Sequence, residues 1–263
     1  MHSYVDLGML FPMLPYENEW IPPTGYDNRI GIVRESSLHR DLKIHYTGKG
    51  GIIEVSTGYK GKYVSDGITK TGEIIEVQIG SFGPLKDKIK HIAPLSSIRI
   101  IHPIITQKYI EVYDAENTRC YCRKSPRKGT IWDLFKALVY APEIPLMPRL
   151  TIELAMVAVK QQRRQDRQGS WRRKGISIMD TELTAVQDSL ILSGRDDYNV
   201  FLSSLEVEPF TSRDLGNIAR ITPSLARKTL YVLTRLGIVK RSAKKGNAML
   251  YTRILDTVSK GEF

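Results

Sequence analysis

Asp66, Glu76 and Gln78 are the side chains whose types and spacing are best suited to chemistry. The run Tyr63-Val64-Ser65-Asp66 is followed by Gly67, then by the cluster Thr69-Lys70-Thr71-Gly72, and Ile74-Ile75-Glu76-Val77-Gln78 resumes an extended pattern. Two such runs around Gly and Thr residues predict a hairpin. A turn through Thr71-Gly72 brings the Asp66 carboxylate back beside Glu76 and Gln78. Successive strand side chains alternate faces, so Ile75, Val77 and Ile79 are expected on a core face and Ile74, Glu76 and Gln78 on a face left for chemistry. Two carboxylates and an amide oxygen are hard donors of the kind that Mg²⁺, or Mn²⁺, takes together with phosphate and water. A divalent ion there suits phosphodiester hydrolysis, because it stabilises developing charge and activates a water.

Asp66, a short hairpin and Glu76-Val77-Gln78 resemble the PD-(D/E)xK, or restriction-endonuclease-like, nuclease superfamily, in which an Asp ends one strand and an acid-x-Lys stands on the next. Two letters differ, since Gln78 occupies the Lys place and no Pro precedes Asp66. Some restriction enzymes of the superfamily carry Gln there. The resemblance implies that Asp66 and Glu76 hold the metal and that Gln78 orients the attacking water, which an amide can do but cannot polarise as a lysine does. Lys86 or Lys88, on the next segment, would stand in for the absent charge, as displaced lysines do in relatives. The first core helix of the superfamily often carries a Glu facing the metal, and Glu35 is the match.

The elements that must position these residues follow from periodicity. Leu38, Leu42 and Tyr46 recur at every fourth residue and predict a helix from Arg34 to Tyr46, on which Glu35, His39 and Lys43 form a second stripe. That stripe reads equally as a solvated i,i+4 charge pattern. Ile52 to Ser56 reads as a strand, Pro84 opens a short helix through Ile89 and Ile92, and Ser97 to Ile105 and Lys108 to Tyr113 read as further strands. Helix, three strands, helix and strand is the core order of the superfamily, so the resemblance covers about residues 31 to 113. Thr130 caps a helix that ends before Pro142. Thr151 to Val159 is strand or buried helix; periodicity does not separate the two. His45, His91 and His102 read as core or rim histidines.

A formal net charge of +11 on 263 residues favours a polyanionic partner, nucleic acid or an acidic membrane surface. With 41% hydrophobic and 25% charged residues the chain has the balance of a globular protein, and no apolar run approaches the roughly 20 residues of a membrane span. Cys120 and Cys122 are too closely spaced for an ordinary disulfide and have no second pair for zinc, which makes them reduced strand residues and the expected compartment cytoplasmic. The run through Arg163, Arg164, Arg167 and Trp171-Arg172-Arg173-Lys174, one-signed apart from Asp166, suits a nucleic-acid backbone, with a ring to stack; the alternative is a solvated linker.

Past residue 195 three helices are expected. The second is capped by Thr211 with Asp214 in the capping-box place, and the third opens at Thr222-Pro223 and stops at Gly237. Arg227 and Lys228 lie on the exposed stripe of the third, and Lys244-Lys245-Gly246-Asn247 tips a hairpin. This arrangement resembles a winged helix-turn-helix domain, which implies groove reading by Arg227 and Lys228 and phosphate contacts by Lys244 and Lys245.

The expectation is thus an α/β protein with a restriction-endonuclease-like mixed sheet flanked by helices and a C-terminal winged helix. Its parts are an aromatic and Pro-rich arm (1–30), a nuclease domain (31–159), a basic connecting segment (160–195) and the winged helix (196–258). The expected function is Mg²⁺-dependent endonuclease action on double-stranded DNA, by a homodimer because cutting two strands needs two centres. The alternative is a DNA-binding regulator whose nuclease-like domain has lost activity.

Overall fold

The computed structural model describes residues 36–58 and 61–254. The arm at 1–30 and Glu35 lie outside the described residues.

The described residues are α/β, with a mixed seven-stranded sheet flanked by helices and a separate two-stranded hairpin. Helix α1 (Ser37–Thr47) starts at Ser36, whose hydroxyl accepts from the His39 N–H, and buries Leu38 and Leu42. Strands β1 (Ile52–Thr57), β2 (Tyr63–Ile68) and β3 (Ile74–Val77) form an antiparallel meander. A single 3-10 turn holding Pro84 leads into α2 (Lys86–Ile92), and β4 (Ile98–Tyr113) then pairs parallel with β3. The crossover through α2 is what a parallel pair requires.

The expected break between two strands near Gln107 is instead one long β4 carrying a bulge between Ile105 and Gln107. Beyond the bulge β4 pairs with β5 (Arg119–Lys124) on the edge that β3 has left, and both cysteines of β5 are exposed and free. Thr130 and Asp133 form a capping box ahead of α3 (Leu134–Leu138). The ambiguous Thr151–Val159 run lies in β6 (Leu150–Arg164), parallel to β4 and covered on both faces, which is why its apolar residues do not alternate.

β7 (Ser177–Leu192) closes the sheet antiparallel to β6. The basic segment at 160–195 is therefore not a connection between domains. It is the end of β6, a loop and β7, and the loop turns at Gly175, whose φ of +80° disfavours a side chain.

Both faces of the sheet are covered. On one, α1 packs over Ile75, Val77, Ile101, Val157 and Leu183. On the other, Ile74, Ile98, Ile100 and Ile152 meet Ile89 of α2 and Phe135 of α3. The expected division of β3 into a core face and a free face fails for this reason. Its four residues are all buried, and Ile79 lies past its end and is exposed.

The second apolar cluster continues without a break into the C-terminal elements, through Tyr198, Phe201, Leu225 and Leu233. Phe135 and Phe201 meet edge to face at 4.7 Å. The boundary drawn at residue 196 thus has core on both sides of it. A 3-10 segment (Arg195–Leu202) precedes α4 (Ser212–Ile218) and α5 (Pro223–Arg235), capped by Thr211 and Thr222, and β8 (Val239–Lys245) turns back into β9 (Ala248–Arg253).

Candidate active site

Asp66 sits where β2 and β3 part. The two strands pair at Gly67 with Ile75 and at Ile68 with Ile74, and the next residue of β2 turns its side chain to the neighbouring backbone, so that Asp66 Oδ2 accepts the Val77 N–H at 2.8 Å. On its other side Glu54, with φ +55°, lies opposite Asp66, between the pairs Ile53 with Gly67 and Val55 with Ser65.

Helix α1 brings two basic side chains, one turn apart, to the same carboxylate. His39 Nε2 donates to the Val77 carbonyl at 2.9 Å and lies 3.5 Å from Asp66 Oδ2. Lys43, almost fully buried, places Nζ 3.2 Å from Glu54 and 3.9 Å from Asp66 Oδ1. Burial opposes ionisation of Asp66, but the His39 contact, the Val77 N–H and the Lys43 charge outweigh it, and the carboxyl is held below its ordinary range.

Glu76 on β3 is only 3% exposed. Lys88 of α2 brings Nζ to 2.5 Å from Glu76 Oε1 and also donates to the Val64 carbonyl at 2.6 Å. Burial pushes the Glu76 carboxyl up, Lys88 pulls against it, and the nearby Asp66 charge pushes it up again. The Asp66 charge thus acts on Glu76, and Lys88 is the cation that stands beside it. Lys86 pairs with Glu143 instead.

Gln78 does not join this pair through its amide N–H, which donates to the Ser81 carbonyl at 2.6 Å. The Gln78 backbone carbonyl accepts from His102 Nδ1 at 2.6 Å. His102 is buried edge-on against Phe82, and burial pushes its imidazole toward the neutral form, as expected of a core histidine. Beside the loop after Gln78 lies a cavity of about 450 Å³ lined by Ser81, His102, Lys108, Arg127 and the Asp133–Lys136 ion pair.

Among the described residues no three His, Cys, Asp or Glu side chains stand together as a metal-holding group. Asp66 and Glu76 remain a pair of mutually repelling oxygen donors, and Mg²⁺ is held in many sites by one or two carboxylates with water and phosphate supplying the rest. The donor types suit such an ion, with Lys88 on Glu76 and the Val77 N–H on Asp66 as the partners it would meet there.

Residues 36–193 match the family described as Domain of unknown function (DUF8091). The chain belongs to that family. The match runs from the cap of α1 to the end of β7, and so takes in Asp66, Glu76, Lys88 and the whole sheet of the DUF8091 domain. An uncharacterized protein of Treponema pallidum (strain Nichols) is 26% identical over 224 residues, covering 85% of this chain and 87% of that protein. No solved structure matches.

Outside the DUF8091 domain, α5 exposes Arg227, Tyr231 and Arg235, with Lys228 half-buried, while Lys244 and Lys245 are exposed at the end of the β8–β9 hairpin. Within it, the β6–β7 loop exposes Trp171, Arg172 and Lys174, and Arg173 Nε donates to the Ile176 carbonyl at 3.1 Å. Sequence reasoning undervalued Lys43 and missed Glu54. The stripe of His39 and Lys43 was visible at helical spacing, but the positive φ at Glu54, which pairs with Lys43, has no mark in the residue types. No helix among the described residues is long and apolar enough to cross a membrane.

Proposed function

We propose that this chain is a metal-dependent endodeoxyribonuclease of the PD-(D/E)xK type, with Asp66 and Glu76 as the metal-holding carboxylates and Lys88 as the displaced lysine. The observation that carries the reading is the Lys88–Glu76 contact at 2.5 Å beside Asp66, at the point where β2 and β3 separate. The order α1, β1, β2, β3, α2, β4, with β2 antiparallel to its neighbours and β4 parallel to β3, supports it. When bound, Mg²⁺ or Mn²⁺ would supply Lewis acidity and a water nucleophile. His39 and Lys43 keep Asp66 ionised, and Lys88 holds Glu76 in place. Double-stranded DNA is the substrate of this reading, and cutting both strands requires two centres, supplied by a two-fold dimer. The capped helices α4 and α5 with the basic β8–β9 hairpin support a winged helix that positions the enzyme, with Arg227, Lys228, Lys244 and Lys245 on the DNA.

One observation favours a second reading, a DNA-binding regulator with a retired centre. Glu76 is nearly inaccessible and the Gln78 N–H is turned to Ser81. The two separate in an assay of supercoiled and linear duplex with Mg²⁺ or Mn²⁺, comparing the intact protein with D66A, E76A and K88A. Cutting that stops with EDTA and in each variant supports the nuclease. Tight binding without cutting under either metal, unchanged in the variants, replaces it with the regulator.

A further inference from the structure

Beyond the bulge in β4 the two faces of the sheet differ in how their charges are balanced. On one, the odd-numbered residues of β4 lie among compensated cations: Glu111 stands 3.5 Å from Arg119, and Lys160 pairs with Glu182 at 3.0 Å. On the other, the register sets Arg123 opposite Ile110 and Arg163 beside Val112, on the face that carries Lys108. Among the described residues no carboxylate pairs with Lys108, Arg123, Arg163 or Arg173.

The guanidinium of Arg163 is nevertheless fixed. Its Nε and one terminal nitrogen donate to Gln161 Oε1 at 2.9 and 2.7 Å, and Gln161 is itself held by Thr181 at 3.2 Å. Arg173 is fixed in turn through Ile176. Burial together with the Arg123 and Arg173 charges pushes the Arg163 group down, and burial with Arg163 and Arg127 does the same to Lys108. Arg163 and Arg173 are thus fixed by neutral acceptors and not by carboxylates, and such cations form a surface that an anion would stabilise. Trp171 lies two residues before Arg173, is 83% exposed, and has the Arg172 guanidinium 5.6 Å from its ring centre.

We infer that Arg123, Arg163 and Arg173 form a phosphate-backbone site for nucleic acid on the α1 side of the sheet, extended by Lys108 and Arg127, with Trp171 as its stacking platform. It rests on the DNA-binding part of the reading above and not on catalysis. A run of phosphates matches a line of several cations, and an exposed indole beside them suits a base; a single free phosphate would need neither.

The test is binding of a fluorescein-labelled 30-base-pair duplex and of its single strands by the full chain across a salt series. R123Q/R173Q removes two charges from exposed or half-exposed positions, and R163K keeps the charge but loses the paired bonds to Gln161. Expected for R123Q/R173Q are at least a tenfold loss of affinity near 100 mM salt and a salt slope shallower by about two. R163K should show a smaller loss. Trp171 emission should be quenched by nucleic acid in the intact protein, and the quench should vanish in W171F.

Unchanged affinity and slope in R123Q/R173Q would overturn the site, even if D66A still abolished cutting. Loss of binding in the same variant supports it, even if no cutting is ever seen. Binding of phosphatidylserine vesicles in preference to either nucleic acid would also overturn it, as would equal relief by inorganic phosphate at the same phosphate concentration.

Discussion

Lys88 Nζ of α2 and Glu76 Oε1 of β3 stand 2.5 Å apart, with the acid almost wholly enclosed. A buried pair of this kind contributes little against well-packed apolar residues, but removing one partner strands the other. K88M should lower unfolding stability by about 3 kcal/mol at pH 8. Burial already raises the Glu76 carboxyl against the pull of Lys88, so without Lys88 it should rise further. A carboxyl whose folded pKa is raised weakens the fold while ionised, and the loss in K88M should therefore shrink as the pH falls toward 5. Urea unfolding at the two pH values measures this, and K88M/E76Q should recover most of the loss.

Asp66 shows the opposite sign. Its carboxyl is held down by His39, the Val77 N–H and Lys43 against the pull of burial. A depressed carboxyl contributes stability that is fully present above its unfolded value near 4 and disappears as the pH falls through the folded one. D66N should cost about 2 kcal/mol at pH 7, since a charge-assisted acceptor of the Val77 N–H is lost. The gap between variant and parent should close on titration to pH 2. A gap that stayed constant in acid would show that Asp66 is held by geometry rather than by charge.

Much of this arrangement was legible in the residues, because it rests on local signals. The Thr211 and Thr222 caps, the Pro84 start of α2, the hairpin at Gly246 and the pairing of a carboxylate hairpin with a lysine downstream all depend on near neighbours. What was hidden depends on long-range pairing. Ser177–Leu192 became a sheet strand only because β6 offers it an edge, and the residues read as a linker are its turn. The burial of Glu76 needs α1 and α2 to close on opposite faces of β3, and nothing in a four-residue strand announces both. The left-handed backbone at Glu54 and the bulge before Gln107 re-aim side chains, one toward Lys43 and the other placing Lys108 on the face of the arginines, and neither has a composition signature.

The seat of α1 can be tested at one glycine. A Cβ on Gly67 would lie 2.0 Å from Thr47 Oγ1, so β2 and the last turn of α1 touch through the missing side chain. G67A should destabilise by about 2 kcal/mol through overpacking. Because α1 carries His39 and Lys43, the same substitution should also raise the Asp66 carboxyl, which carbon-13 detected titration of the aspartate side chains would register. G72A, with open space around the position, serves as the control for a local glycine effect, although its φ of +87° adds its own strain.

The C-terminal elements make a separate claim on DNA. Arg227 points out from α5 while Lys244 and Lys245 end the β8–β9 hairpin, so the first would read a groove and the others would follow the backbone. K244Q/K245Q should then weaken binding to all duplexes alike and reduce the salt slope by about two, because each lysine releases about one counterion. R227Q should cost about 1 to 3 kcal/mol on a preferred sequence and little elsewhere. Selection of bound sequences from a random duplex pool, followed by anisotropy on the winners, measures both. If R227Q and K244Q/K245Q instead altered affinity equally on every sequence, α5 would lie along the backbone, and selectivity would have to come from the DUF8091 domain.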